Sequence, residues 1–340
     1  MDSGLRRNDG WRNGIIPLKL SFLLAFFSCS LSSDSVFAEP IAITASPVTT
    51  FQNLSSTSEF GPFSWRGGLS LSSTERKFGG FSGLIIGNNC EDLLAVSDAG
   101  RWFKATLNYD GAMLAGIATA ELAPMLDSKA KPQRSKVWGD AEAVAEVAPG
   151  RVAVAYESRV RFGVYDLGRD GFKAPFKPFR HPRDIDGGAD NGEVEALAVL
   201  PAGSFIAVSE KNRDADGNAR AWMWSGKTSL QFTIAGYLDY AITDIVVLAD
   251  GNVLTLERSF SHTSLPGMAI RRFAASRIGK DANVKPELLF EGRVPFFAID
   301  NMEGIAACTR DGETRLTIIS DNNFNTRLQQ TLLLQFAYKP

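Results

Sequence analysis

One pattern recurs five times along this chain of 340 residues: an acidic or small polar residue, an apolar run, a turn, a second apolar run and a closing acid. The copies run from Ser82 to Asp98, Glu142 to Glu157, Glu195 to Glu210, Asp244 to Glu257 and Glu303 to Asp321. The two ends of a copy lie 13 to 18 positions apart and successive closing acids 47 to 64 apart, which is one supersecondary unit per repeat. The runs are short, rich in Val, Ile, Leu and Ala, and broken by Asn-Asn, Pro-Gly, Ala-Gly or Asp-Gly turns, so each copy reads as a β-hairpin. Four-stranded units at this spacing predict an all-β fold, a single β-propeller. In an antiparallel hairpin the start of the first strand and the end of the second share one edge, opposite the turn. Radial stacking of the units therefore gathers nine carboxylates and Ser82 at one mouth of the central channel.

Each hairpin is followed by further strand-like runs. Third strands start at Arg101, Arg159, Ala221, Met268 and Thr331, and fourth strands at Leu114 and Leu230. The alternating stretch AWMWS (221–225) reads as blade core. The last repeat runs out of chain after its third strand, while FSWRGGLSLSS (63–73) precedes the first hairpin, where the outer strand of a preceding blade belongs. The two termini are thus expected to complete one blade together, closing the ring and hiding sheet edges. Five units are visible, and Ile41 to Gln52 leaves a sixth blade open. Leu122 to Gly139 and Pro175 to Gly192, with their Pro and Gly breaks, read as loops.

Near the N-terminus, Lys19 precedes an apolar segment from Leu20 to Phe27, a polar stretch and the small-residue pattern Val36-Phe37-Ala38. Residues 1–38 are read as a signal peptide cleaved after Ala38, with an overextended start behind the long polar segment before it, and 39–340 as the propeller. The remaining chain carries 32 Lys and Arg against 35 Asp and Glu, with no basic face for nucleic acid or anionic membrane. No apolar run approaches the ~18 to 20 residues of a membrane-spanning helix, and the surroundings of Cys29 match a lipid-anchor site poorly. A periplasmic or secreted location follows. Cys90 and Cys308 sit near hairpin tips of the first and last repeats, neighbours if five blades close, which leaves either a disulfide or two buried thiols.

The acids at the expected mouth are Asp98, Asp140, Glu142, Glu157, Glu195, Glu210, Asp244, Glu257, Glu303 and Asp321. So many carboxylates raise one another's pKa unless a cation neutralises them, and the natural partner is a hard cation such as Ca²⁺. The competing reading pairs them with Arg101, Arg159, Lys211, Arg213 and Arg258, which follow the closing acids closely, or uses those cations to bind an anionic substrate. The stretch 184–193 fails the EF-hand pattern, with Gly188 at its fifth position and Ala189 at its sixth, and Asp214 to Asn218 reads as a hairpin turn. GFSGL (80–84) lacks the last Gly of a nucleophile elbow, and the only histidines, His181 and His262, lie outside the hairpins. There is no HExxH, no CxxC and no phosphate-cradling Gly-Lys loop.

The blocks GGFSGL (79–84), AVSDAGRWF (95–103), DAEAVA (140–145), VEALAVLPAGSFIAVSE (194–210), Thr243-Asp244, LTLERSFS (254–261), DNMEGIAA (300–307) and LTIISDNNFNTRLQQTLLLQF (316–336) follow one another in a distinctive order. Over about residues 60 to 337 the chain resembles the phytase-like propeller family described by the esterase-like activity of phytase. The resemblance implies an exported hydrolase of small phosphoric, phytate-like esters with Ca²⁺ in the acidic mouth. It implies Asp98, Glu142, Glu157, Asp244, Glu257 and Asp321 as metal ligands, and Glu195, Glu210 and Glu303 as the catalytic carboxylates. Arg101, Arg159, Lys211 and Arg258 would contact phosphate. Two alternatives stay open: a carboxylic-ester or lactone hydrolase using one metal in the same mouth, and a non-catalytic binding propeller.

Overall fold

The computed structural model describes residues 37–87, 89–133, 135–186, 194–261 and 264–340. Five sheets form five blades, antiparallel throughout except where Asn283–Val284 joins the edge of blade 3 in parallel. Blade 1 is Phe81–Ile86, Asp92–Ser97, Arg101–Asp110 and Met113–Pro124; blade 2 is Ala141–Ala148, Arg151–Tyr156, Arg161–Asp166 and Lys177–Pro178. Blade 3 is Val194–Val199, Phe205–Arg213, Ala219–Ser225 and Thr228–Ile234; blade 4 is Ala241–Val247, Asn252–Ser261, Ser264–Ala274 and Glu287–Arg293. Blade 5 takes Asn301–Arg310, Glu313–Asp321 and Thr331–Tyr338 from the C-terminal end and Phe63–Ser72 from the N-terminal side. The first strand of each blade packs against the first strands of both neighbours, so five inner strands line a closed channel.

Closure follows the sequence expectation. Phe63–Ser72 lies antiparallel to Thr331–Tyr338, with Leu69 opposite Leu333. There is no sixth blade among the described residues: Thr44–Val48 adds to the outer edge of blade 5 through Phe63–Ser72. Two of the expected loops carry strand. Leu122 to Pro124 ends the outer strand of blade 1, and Lys177–Pro178 is the outer strand of blade 2, short because Pro178 and the Pro that follow cannot sustain a ladder. Among the described residues no helix is long and apolar enough to cross a membrane. Apart from Phe37 and Ala38, the expected signal peptide lies outside the described residues, as do His262 and residues 187–193.

Both faces of every blade are covered by a neighbour, which is why the inner strands read as nearly continuous Ala, Val, Ile and Leu. The core divides into five clusters, one per seam. Val96 and Trp102 meet Val144 and Tyr156 between blades 1 and 2, and Phe162 meets Trp222 and Trp224 between blades 2 and 3. Phe232 meets Phe273 between blades 3 and 4, Leu256 meets Ile318 between blades 4 and 5, and Leu333 meets Phe81 where blade 5 returns to blade 1. Trp222 and Trp224 are therefore core, as their alternation implies.

Cys90, in the turn between the first two strands of blade 1, is bonded to Cys308 on the inner strand of blade 5, with Cα atoms 5.5 Å apart and a sequence separation of 218. The bond ties the C-terminal part of the closing blade to blade 1. A cross-link over so long a loop is worth about 5 kcal/mol in the chain-entropy picture. Reduction, or Cys308→Ser, is expected to lower the unfolding free energy by several kcal/mol while preserving the β-sheet circular dichroism; an unchanged denaturant midpoint would show the seam holds without the bond.

Candidate active site at the propeller mouth

Every inner strand departs from regular pairing at one shared place; blade 2 has a second shift, near its turn, between Arg151 and Val152. Between the first and second strands of a blade the register skips one residue, leaving Ser82, Glu142, Glu195, Thr243 and Glu303 unpaired in blades 1 to 5. A β-bulge of this kind re-aims one side chain without disturbing the ladder beyond it. On the second strand, the residues opposite the start of the bulge are Ser97, Tyr156, Ser209, Glu257 and Ser320. The positions that follow them are Asp98, Glu157, Glu210, Arg258 and Asp321.

Blade 4 is thus offset by one residue from the sequence expectation. Thr243 and Arg258 stand where the other blades carry Ser82 or an acid, and Asp244 and Glu257 fall on the opposite face, because a one-residue step in a strand reverses side-chain direction. Asp244 accepts from its neighbour's amide, Ile245 N, and from Ile305 N of blade 5, both at 2.8 Å, stitching two inner strands together. Glu257 accepts from Arg271 Nε at 2.6 Å and from the Thr255 hydroxyl at 2.7 Å in a fully buried pair. Both acids are engaged within the blades, so the structure does not bring these two expected metal ligands into the mouth cluster.

Arg258 is the cation of one half of the mouth. Its guanidinium donates to Glu303 and Asn301, and to Glu210 Oε1 at 2.9 Å, while Asn301 Nδ2 donates to Glu303 Oε1 at 2.8 Å. Burial and these carboxylates act in opposite directions on Arg258, with the net effect that its proton is held more tightly. Three of its five N–H donors are engaged in this way, so the side chain organises carboxylates.

The other half has lysines at its rim in place of a buried arginine. Lys136, in the short helix Lys136–Gly139, donates to Asp98 Oδ2 at 2.7 Å and lies 3.7 Å from Asp140 Oδ1. Lys211 lies 3.9 Å from both Glu157 Oε1 and Glu210 Oε2. Asp140, Glu142 and Glu157 each present an oxygen within 4.8 Å of the others. The Ser158 hydroxyl donates to Asp140, yet Asp140 Oδ1 is buried without a hydrogen-bond donor, as is Asp98 Oδ1. Three converging carboxylates and an orphaned oxygen fit a hard cation, whose oxygen ligands sit ~2.3 to 2.6 Å from the ion.

Burial and mutual repulsion hold protons on the ring. Glu142 and Glu195 are pushed well above the usual carboxylate range, first by burial and then by neighbouring carboxylates: Glu195 acts on Glu142, and Glu210 and Glu303 act on Glu195. Burial raises Glu303 to about 8 against the pull of Arg258, and Asp321 to about 6. Asp98 is also raised, chiefly by burial, with Lys136 opposing.

Of the expected phosphate contacts, Arg159 is exposed two residues beyond Glu157, its guanidinium 4.6 Å from the Trp138 ring centre. Arg101 begins the third strand of blade 1 and lines a crevice with Phe37, Glu39 and Pro124. Arg213 donates to the carbonyls of Gly217 and Tyr240, and the Asp214 side chain accepts from Asn218 in the expected hairpin turn. Sequence reasoning missed Lys136 and Ser158, which lie outside the strands and carry no periodic signal.

The family defined by the esterase-like activity of phytase matches residues 76–324, most of the chain, from blade 1 through the first two strands of blade 5. The chain belongs to this phytase-like family. No curated protein matches it. Among solved structures it is similar to an endo-arabinase from Bacteroides thetaiotaomicron (13% identity, TM-score 0.47, 78% of this chain and 96% of that one). It is also similar to a gluconolactonase from Xanthomonas campestris (11% identity, TM-score 0.42, 88% and 99%) and to the Dos1 propeller (11% identity, TM-score 0.34, 81% and 75%).

The raised acids set a pH dependence for this phytase-like mouth. A carboxyl whose folded pKa lies above its ordinary value, 4.5 for Glu303 and 3.8 for Asp321, contributes stability that is complete below that ordinary value and lost as pH rises through the folded one. The chelated protein is expected to lose stability from pH 5 to pH 8.5, and Glu303→Gln to flatten the upper part of that fall. Urea midpoints across this range test it; a midpoint that climbs with pH would contradict the assignment.

Proposed function

We propose that this protein is an exported, metal-dependent ester hydrolase acting on phosphoric esters. The observation that carries the reading is the Asp140, Glu142 and Glu157 cluster with its orphaned buried oxygen, beside the cationic side chains of Arg159 and Lys211. These three carboxylates would hold Ca²⁺ or a similar divalent ion. The chemistry such an ion supplies is electrostatic: it neutralises charge on an ester oxygen and acidifies water beside it. Arg159 and Lys211, at the edge of the cluster, are suited to meet anionic oxygens of the substrate. Glu303, with its proton held to about 8, is suited to protonate a leaving oxygen near neutral pH, and Arg258 with Asn301 fixes its carboxyl group. Glu195, also raised, acts on Glu142 and is acted on by Glu210 and Glu303, and so connects the two halves.

The Cys90–Cys308 disulfide supports an oxidising compartment, hence a periplasmic or secreted protein. A second reading, a carboxylic-ester or lactone hydrolase, is favoured by one specific feature: the acids form a single three-carboxylate cluster while Arg258 occupies the other half. Such an enzyme would turn over lactones or acyl esters and ignore phosphomonoesters.

Calcium at a hundred times its Kd is expected to add about 2.7 kcal/mol of stability. Glu142→Gln with Glu157→Gln should abolish that shift and lower phosphomonoester turnover by more than the ~10- to 100-fold typical of losing an outer-shell partner. Thermal unfolding after chelation and with Ca²⁺, Mg²⁺, Mn²⁺ or Zn²⁺, joined to a panel of phosphate and carboxylic esters, is the test. No shift with any ion and no turnover would leave a binding propeller.

A further inference from the structure

A cavity of about 760 Å³ lies at the end of blade 4 away from the mouth. Asn252 in its wall opens the second strand of the blade, the strand that carries Arg258 to the mouth further along. A detour of the chain builds this cavity. After the third strand, residues 275–286 leave blade 4, and Asn283–Val284 pair in parallel with Thr233 and Ile234 at the edge of blade 3 before Glu287–Arg293 returns. Thr233 N donates to Ala282 O and Ala235 N to Val284 O, both at 2.8 Å, and Val284 is buried in the cluster that holds Phe273. The detour is thus anchored at its middle.

Its wall carries Arg272, Arg277 and Lys285, with the side-chain amides of Asn252 and Asn283. Glu287 is the one carboxylate in the lining, and Arg272 takes it: Nη2 donates to Glu287 Oε2 at 2.7 Å, while Nη1 donates to the Tyr338 hydroxyl at 2.9 Å. Arg277 and Lys285 are left over. Among the described residues neither makes a hydrogen bond or an ion pair through its side chain.

The local charge runs against that of the whole chain. Residues 271–287 hold five Lys and Arg against two Asp and Glu, although acids outnumber bases over the full sequence. Like charges gathered on one concave wall repel, and a cleft lined by one sign of charge focuses its field and concentrates ligands of the opposite sign.

We infer that this cavity binds a small phosphorylated molecule, with Arg277 and Lys285 as the cationic contacts of its phosphate. Two unneutralised cations match the charge of a phosphomonoester, which a single carboxylate does not. A guanidinium fork and an ammonium suit phosphate oxygens, and the Asn252 and Asn283 amides are neutral donors for the rest. The volume is that of a small-molecule site and exceeds what a bare phosphate ion fills. The inference stands apart from the reading of the mouth, because binding here needs neither a metal nor turnover.

The test is titration calorimetry on the chelated mature chain at low salt, with glycerol 3-phosphate, glucose 6-phosphate, inorganic phosphate, and unphosphorylated glycerol and glucose. At least one phosphomonoester is expected to bind more tightly than inorganic phosphate, and the neutral compounds not at all. Arg277→Gln with Lys285→Gln should weaken that binding by about tenfold or more, the worth of a charge-assisted hydrogen bond. The same pair should leave the melting temperature unchanged or raised, since neither side chain has a partner among the described residues. Arg159→Gln with Lys211→Gln, at the mouth, should leave the binding as it is. The inference is overturned by binding lost with the mouth pair, by binding indifferent to the cavity pair in folded protein, or by no heat with any phosphate. Inorganic phosphate binding as tightly as the esters, or capture by phosphatidylglycerol vesicles in their place, would overturn it too.

Discussion

One β-bulge, repeated in every blade, sets the chemistry of this protein. Without it the alternation of the inner strands would run unbroken into the mouth, and Glu142, Glu195 and Glu303 would have no common direction to share. The extra residue frees one side chain per blade from the ladder, Ser82, Glu142, Glu195, Thr243 and Glu303, at the same level of the ring. Beyond the bulge the strand resumes its register, so Ala, Val and Leu return to the seams. A rigid scaffold thereby holds a constellation of like charges that the same side chains would never maintain in a flexible loop.

That constellation is unstable by itself, and the chain answers it in two ways. In the half formed by blades 3 to 5, Arg258 sits among Glu210, Glu303 and Asn301, a planar donor matched to several acceptors at once. In the half formed by blades 1 and 2 the answer is incomplete. Lys136 comes from a four-residue helix on the edge, Lys211 lies almost 4 Å away, and Asp140 keeps an oxygen with no donor. Buried carboxylates in that position hold either a proton or a cation, and the two compete for the same oxygens. The asymmetry between the halves is therefore the strongest physical argument for where an ion would go.

Much of this was legible in the chain. The five hairpins, the blade completed by both termini, the buried tryptophans of 221–225 and the proximity of Cys90 to Cys308 follow from apolar periodicity, turn residues and ring closure. Asp140 and Glu142 lie two apart, and the structure places both in one cluster. The register of blade 4 was misread because Asp244 and Glu257 look like the acids that end the other copies. Their spacing held the correction: they are 13 apart, whereas Thr243 and Arg258 are 15 apart, as are Glu142 and Glu157, and Glu195 and Glu210. Counting from the bulge, rather than matching charge, finds Arg258 as the ring residue. Lys136 and Ser158 lie in a four-residue helix and a turn whose placement depends on contacts between blades, for which a single sequence has no period to show.

The closing blade carries a load that the other blades do not. A continuous chain leads from each blade to the next, including residues 73–80 between Phe63–Ser72 of blade 5 and Phe81–Ile86 of blade 1, but blade 5 alone is assembled from two separate stretches of the chain, held to each other by the pairing of Phe63–Ser72 with Thr331–Tyr338. Cys90–Cys308 gives the C-terminal strands of that blade a covalent tie to blade 1, away from the mouth. The disulfide therefore completes covalently a ring that strand pairing alone would otherwise close, and it keeps the strands that present Glu303 and Asp321 beside those that present Ser82 and Asp98.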